Sequence, residues 1–195
     1  MHPAIFLDRD GVLIENRADY VRDWSQVEIF HEAVKALSGS GIEKYKIVIV
    51  TNQTAVGRNL MSLGTAQGIN NKLSIAIKQM GAEIDGIYMC PHVAEDQCNC
   101  RKPQPGMLLQ AAKELSLDLN ASWMIGDAWS DLLAGQAAGV RGVIMVKTGR
   151  GASQLLLSRP ENLNDHFVCN DLSEALKMIL DFDLRSPNNK AINQQ

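Results

Sequence analysis

Short apolar runs alternate with amphipathic stretches along most of this chain, and that alternation restricts the fold more than any other feature. Ile5-Phe6-Leu7 and the wholly β-branched Ile47-Val48-Ile49-Val50 have the length and composition of buried strands. Residues 84–89, 122–125 and 143–146 read the same way. Between them, residues 32–38, 62–80, 105–115 and 130–138 carry helical spacing. Pro105 suits a first helical turn, and Gly39, Gly81 and Gly139 suit helix stops. Strands separated by helices imply an α/β fold, a parallel sheet covered by helices on both faces. No internal repeat is visible. Residues 1–182 are expected to form a single domain and the polar stretch 183–195 a frayed tail.

The candidate strands end in chemically loaded residues. Leu7 leads into Asp8, Val50 into Thr51, Met89 into Cys90, and Ile125 into Gly126-Asp127. Ligands of open α/β sheets bind just beyond the carboxyl ends of the strands, so these clusters are expected to converge. In Asp8-Arg9-Asp10-Gly11, two carboxylates stand two residues apart at a strand tip, where extended backbone would turn both to one side. Asp127 and Asp131 add further acids, and Ser130 is placed to cap the helix that follows. Such a gathering repels itself and any phosphate dianion unless a hard divalent cation such as magnesium sits among the carboxylates. With the cation bound, one Asp can attack phosphorus while its neighbour moves protons. An isolated D-x-D is more often a surface turn or a helix cap; partners at the same edge reverse that preference. Thr51-Asn52-Gln53 offers a hydroxyl and backbone N–H groups to phosphoryl oxygens. In Arg101-Lys102-Pro103, Lys102 supplies a point charge and Arg101 a fork for substrate oxygens.

Cys90, His92, Cys98 and Cys100 crowd into one short segment. Three thiols and an imidazole form a recognised structural zinc set with no open position for catalysis. The alternatives for this segment are chance clustering or a redox pair. A zinc-bound loop would hold Arg101 and Lys102, which follow it directly. Cys169 reads as a buried core residue.

A net charge of −3 argues against a nucleic-acid or anionic-membrane surface. No apolar run reaches the ~20 residues of a membrane span, and the N-terminus lacks the features of a secretory signal. The expectation is a cytoplasmic monomer acting on a small molecule.

Asp8-x-Asp10-Gly11-Val12, Thr51-Asn52, Lys102 and Gly126-Asp127-x-x-x-Asp131 resemble, in order, the four motifs of the haloacid dehalogenase superfamily of phosphatases. The resemblance covers roughly residues 3–150. It implies a Rossmann-like core with Asp8 as nucleophile and Asp10 as general acid/base. It further implies that Thr51 and Lys102 stabilise the phosphoryl group. Magnesium would sit on Asp8, the Asp10 carbonyl and Asp127, with Asp131 in support. The zinc loop narrows the resemblance to two sister groups, heptose bisphosphate phosphatases and histidinol-phosphatase domains. Gly57-Arg58, Pro105-Gly106-Met107-Leu108 and Lys147-Thr148-Gly149 favour the first, hence a phosphosugar substrate in the making of activated heptose for lipopolysaccharide. Ala128, where that group often has Lys, and Asn59, where Gly is common, depart from its pattern. By resemblance the substrate contacts are Asn16, Arg17, Asp19, Tyr20, Asn52, Gln53, Thr54, Arg58 and Arg101. The gaps between Val12 and Glu32 and between Val50 and Arg101 are too short for a cap domain of at least ~50 residues. The site is therefore expected to be open. A non-catalytic zinc module is the competing reading from another class.

Overall fold

The computed structural model describes residues 1–185. The five apolar runs all form strands: β1 (Ala4–Leu7), β2 (Lys46–Asn52), β3 (Gly86–Cys90), β4 (Trp123–Gly126) and β5 (Gly142–Val146). A further strand, β6 (Phe167–Cys169), escapes the sequence pattern because it is three residues long and two of them are exposed. All pairings are parallel, in the order β3-β2-β1-β4-β5-β6. The order reverses direction between β1 and β4, the point where the crossover connections diverge and leave a crevice.

Alternation along the strands divides the core in two. Ile5, Leu7, Ile47, Ile49, Trp123, Ile125, Ile144 and Val146 face one layer. There they meet α1 (His31–Leu37), α3 (Leu63–Gln79) and α7 (Leu172–Arg185), through residues such as Val34, Leu73, Ile77 and Ile179. Ala4, Phe6, Val48, Val50, Met124, Val143 and Met145 face the other layer, against α4 (Gly106–Glu114) and α5 (Trp129–Ala138) through Met107, Leu108, Leu132 and Ala134. The expected helix-covered sheet is thus present. Two short helices, α2 (Thr54–Gly57) and α6 (Gly151–Gln154), follow the ends of β2 and β5. Among the described residues, the connection from β1 to α1 holds only isolated bridges and a single 3-10 turn (Trp24–Gln26), so no cap domain covers the crevice.

Three local expectations change. Pro105 is the N-cap of α4 and not a residue of its first turn. Ser130 does not cap α5: the helix begins earlier, and Asp131 reaches back with Oδ2 to accept the Ala128 N–H at 3.0 Å. The C-terminal helix runs to Arg185, past the start of the stretch read as a tail. Asp183 is why, because it receives the Tyr45 hydroxyl, Lys44 at 2.9 Å and Arg141 at 3.1 Å. Residues 186–195 of that stretch lie outside the described residues.

Leu73 is fully buried in α3 against the sheet. Leu73→Ala is expected to lower unfolding free energy by ~2–5 kcal/mol. Urea denaturation measures this, and a loss under ~1 kcal/mol would contradict the packing described.

Candidate active site

The carboxyl ends of β1, β2 and β4 bring the acids, the threonine and the lysine together. Asp8 follows β1 directly, and its backbone N–H donates to the Ile125 carbonyl at 3.0 Å, continuing the ladder to β4. Carboxylate oxygens of Asp8, Asp127 and Asp131 lie within 4.8 Å of one another, and all three residues are buried. Lys102 enters from the loop before α4. Its Nζ donates to Asp8 Oδ1 at 2.7 Å and to the Val50 carbonyl at 2.7 Å, and lies 2.7 Å from Asp131 Oδ1. Its three protons are therefore engaged, and it reaches a phosphoryl group by charge and not by hydrogen bonding. Asn52, the last residue of β2, clamps the Lys102 peptide: its amide donates to the Lys102 carbonyl and its carbonyl accepts the Lys102 N–H, each at 3.1 Å.

Close packing around Asp127 depends on two glycines in left-handed conformations. A Cβ on Gly11 (φ +86) would lie 2.1 Å from Asp127 Oδ2. One on Gly149 (φ +57) would lie 2.5 Å from the same oxygen. Both positions exclude side chains so that backbone can close around the carboxylate. Thr148 joins the two loops by donating from Oγ1 to the Gly11 carbonyl at 2.5 Å. Arg150 then holds Asp127 through its backbone N–H at 2.8 Å and its guanidinium at 3.1 Å.

Burial pushes the Asp8 carboxyl up to about 7, with Asp131, Asp127 and Asp10 adding repulsion and Lys102 opposing. Asp127 is raised as well, by burial first and then by Asp131, against Arg150. Burial alone would lower Lys102, but Asp131 and Asp8 more than offset it and its value is raised. Buried, mutually repelling oxygens of this kind are a fitting donor set for a hard cation. By position Asp8, Asp127 and Asp131 could hold it, and the Asp10 carbonyl is the further ligand that the resemblance implies.

Asp10 points toward Thr51 and Gln53. Gln53 donates from Nε2 to Asp10 Oδ2 at 3.1 Å and to Thr51 Oγ1 at 2.8 Å, leaving the Thr51 hydroxyl proton free to donate elsewhere. A cleft of about 370 Å³ opens over these groups. Of the expected substrate contacts, Asn16, Arg17, Tyr20, Asn52, Gln53, Thr54 and Arg101 line it. Asp19 and Arg58 do not. Asp19 is turned to Arg17 and Arg22, at 3.4 Å from each. The Arg58 guanidinium lies over the Tyr20 ring, 5.9 Å from its centroid. Ser130 and Arg150 line the cleft although neither was expected there as a contact. The signal for Arg150 was its place after Lys147-Thr148-Gly149 at a strand end.

In the cysteine loop the Sγ atoms of Cys98 and Cys90 are 3.6 Å apart and those of Cys100 and Cys98 3.4 Å. His92 Nδ1 lies 3.6 Å from Cys90 Sγ and 3.3 Å from Cys100 Sγ. Tetrahedral zinc with Zn–S bonds of ~2.3 Å sets its sulfurs about 3.8 Å apart, so the four atoms fit one ion. All are free of disulfides. From this loop Arg101 reaches back to the His92 carbonyl at 3.2 Å and across to Thr54 Oγ1 at 2.8 Å. The cysteine–histidine loop thereby places the cleft arginine.

Residues 99–175 match a family model described as HAD-hydrolase-like. The D-glycero-beta-D-manno-heptose-1,7-bisphosphate 7-phosphatase of Pasteurella multocida is 40% identical over 156 residues, covering 77% of this chain and 84% of that protein. The enzyme of the same name from Pseudomonas aeruginosa is 32% identical over 179 residues, covering 90% and 97%. Among solved structures, D,D-heptose 1,7-bisphosphate phosphatase of B. bronchiseptica, complexed with magnesium and phosphate, superposes with a TM-score of 0.83 at 32% identity. That match covers 92% of this chain and 99% of the other.

Two measurements check this geometry. Carbon-13 NMR of metal-free protein is expected to show a carboxyl titrating at about 7 that disappears in Asp8→Asn. The folded state holds that proton to higher pH than the unfolded chain. The Asp8 contribution to stability therefore declines as pH rises from 3.8 to about 7. Cys98→Ser is expected to lose bound zinc by metal analysis and to lower Tm by roughly 5–10 °C. Parent protein purified without chelators and containing no zinc would refute the assignment of the loop.

Proposed function

The chain belongs to the D-glycero-beta-D-manno-heptose-1,7-bisphosphate 7-phosphatase family of HAD-like hydrolases, and on that premise we propose that it removes the 7-phosphate of a heptose 1,7-bisphosphate through a phosphoaspartate on Asp8. One observation carries the mechanism: Lys102 grips Asp8 Oδ1 at 2.7 Å at the floor of a cleft that Asp10, Gln53 and Arg101 also line.

With Oδ1 held, Oδ2 of Asp8 is the attacking atom. It forms a bond to phosphorus as the bond from phosphorus to the sugar oxygen breaks. Asp10 gives its proton to the departing alkoxide. In the second half, Asp10 takes a proton from water, whose oxygen attacks phosphorus and releases inorganic phosphate and the Asp8 carboxylate. The freed Thr51 proton donates to a phosphoryl oxygen, and the Lys102 charge counters the negative charge gathered there. Magnesium, when bound, neutralises phosphoryl oxygens so that a carboxylate can approach a dianion. Arg17, Arg101 and Arg150 are the arginines on the cleft wall that can meet the rest of the substrate, which carries a second phosphate. Four free cysteines, three of them in the zinc set, suit a reducing cytoplasm.

Asp8→Asn is expected to retain substrate binding and to lose at least ~10³-fold in kcat, because the nucleophile itself is removed. Wild-type turnover in this variant would end the proposed mechanism. The substrate assignment has its own test: kcat/KM on heptose 1,7-bisphosphate against histidinol phosphate in magnesium buffer. The heptose substrate is expected to win by ~10²-fold or more, since histidinol phosphate leaves the cleft cations without a second phosphate. A higher value for histidinol phosphate reverses the assignment.

A further inference from the structure

Arg9 stands between the two motif aspartates and is almost wholly buried, at 1% exposure. A lone guanidinium in a core needs partners for its donors, and here they are divided between two residues. Nε donates to Asp10 Oδ2 at 3.1 Å and Nη2 to Asp10 Oδ1 at 3.1 Å, a side-on fork that fixes the plane of the carboxylate. The remaining nitrogen, Nη1, donates to Asn70 Oδ1 at 2.8 Å. Asn70 lies on α3, 61 positions away in the chain. It is itself buried, at 4% exposure, among the apolar residues that seat the helix on the sheet. Its amide nitrogen faces Met89 Sδ at 3.6 Å, which orients the oxygen toward Arg9. A buried amide on the core side of an otherwise apolar helix face costs stability unless its bond matters. Nothing in the helix itself requires it.

We infer that Asn70 is a positioning residue for the general acid/base: through Arg9 it sets where the Asp10 carboxyl stands relative to the departing sugar oxygen. Asn70 touches neither substrate nor the reacting atoms. The relay runs from α3 to Asn70, to the guanidinium, to Asp10, and Gln53, just past the end of β2, steadies the same carboxylate at 3.1 Å. Removing Asn70 leaves Nη1 unpaired and lets the guanidinium rotate, carrying Asp10 with it. A shift of this size at a proton donor is felt chiefly when the leaving group needs a proton. This inference rests on Asp10 being the acid, as proposed above.

The test compares leaving groups. The ratio kcat/KM reports steps up to departure of the leaving group, so the later attack of water does not enter. Asn70→Ala, each enzyme at its own pH optimum, is expected to lose about tenfold or more on the sugar phosphate, part of the ~10²–10⁴ that a general acid supplies. On p-nitrophenyl phosphate, whose phenolate leaves without a proton, the loss is expected to stay within about twofold. Leu73→Ala, a neighbour on the same helix that leaves the relay intact, should show no such split. Asn70→Ser, which is shorter and still polar, carries the same comparison should Asn70→Ala not fold. Equal losses on both substrates, or none on either, overturn the role of Asn70 when Asp10→Asn does show the split. If Asp10→Asn shows no split, the assignment of Asp10 as acid fails and the relay falls with it.

Discussion

The Nζ of Lys102 is the interaction on which the rest of the site depends. A fully buried ammonium is tolerable only where its charge and all its protons are met. Here Asp8, Asp131 and the Val50 carbonyl meet them at 2.7 Å each. The same contacts make a buried pair of aspartates tolerable, since without the lysine Asp8 and Asp131 would face each other and Asp127 uncompensated. Charge balance thus ties β1, β2, α5 and the loop before α4 into one rigid arrangement.

Around that centre, each supporting element does a specific positional task. Zinc-compatible ligands end at Cys100, one residue before Arg101 and two before Lys102. Asn52 clasps the Lys102 peptide on the strand side. A polar loop is therefore pinned at both flanks of its cations, so little rotamer freedom has to be lost when substrate arrives. On the far wall, Gly11 and Gly149 give up side chains so that two backbone turns can close on Asp127.

Much of this was legible in the sequence for a physical reason. Buried parallel strands are continuous apolar runs, and the residues just past their ends have to meet, so Asp8, Thr51 and Asp127 could be placed together without coordinates. A set that could hold a metal announces itself by residue type and density, as Cys90, His92, Cys98 and Cys100 do. The illegible parts depend on tertiary proximity. Phe167–Cys169 pairs as an edge strand with too few buried residues to leave a pattern. Arg9 and Asn70 are ordinary in sequence, and only the fold brings them within 2.8 Å. Asp19 and Arg58 were placed on the substrate by resemblance. Asp19 pairs with Arg17 and Arg22, Arg58 lies over the Tyr20 ring, and neither lines the cleft.

The reacting groups and the rim of the cleft are anchored differently. Asp8, Thr51 and Asp127 stand on or directly after β1, β2 and β4, whose side chains fill both halves of the core. Asn16, Arg17 and Tyr20 hang on the irregular connection before α1. Val12, Leu13, Ile14 and Val21 of that connection belong to the core, whereas Asn16, Arg17 and Tyr20 belong to neither core layer. Changes confined to Asn16, Arg17 and Tyr20 therefore alter the cleft rim while the residues on the strand ends keep their supports.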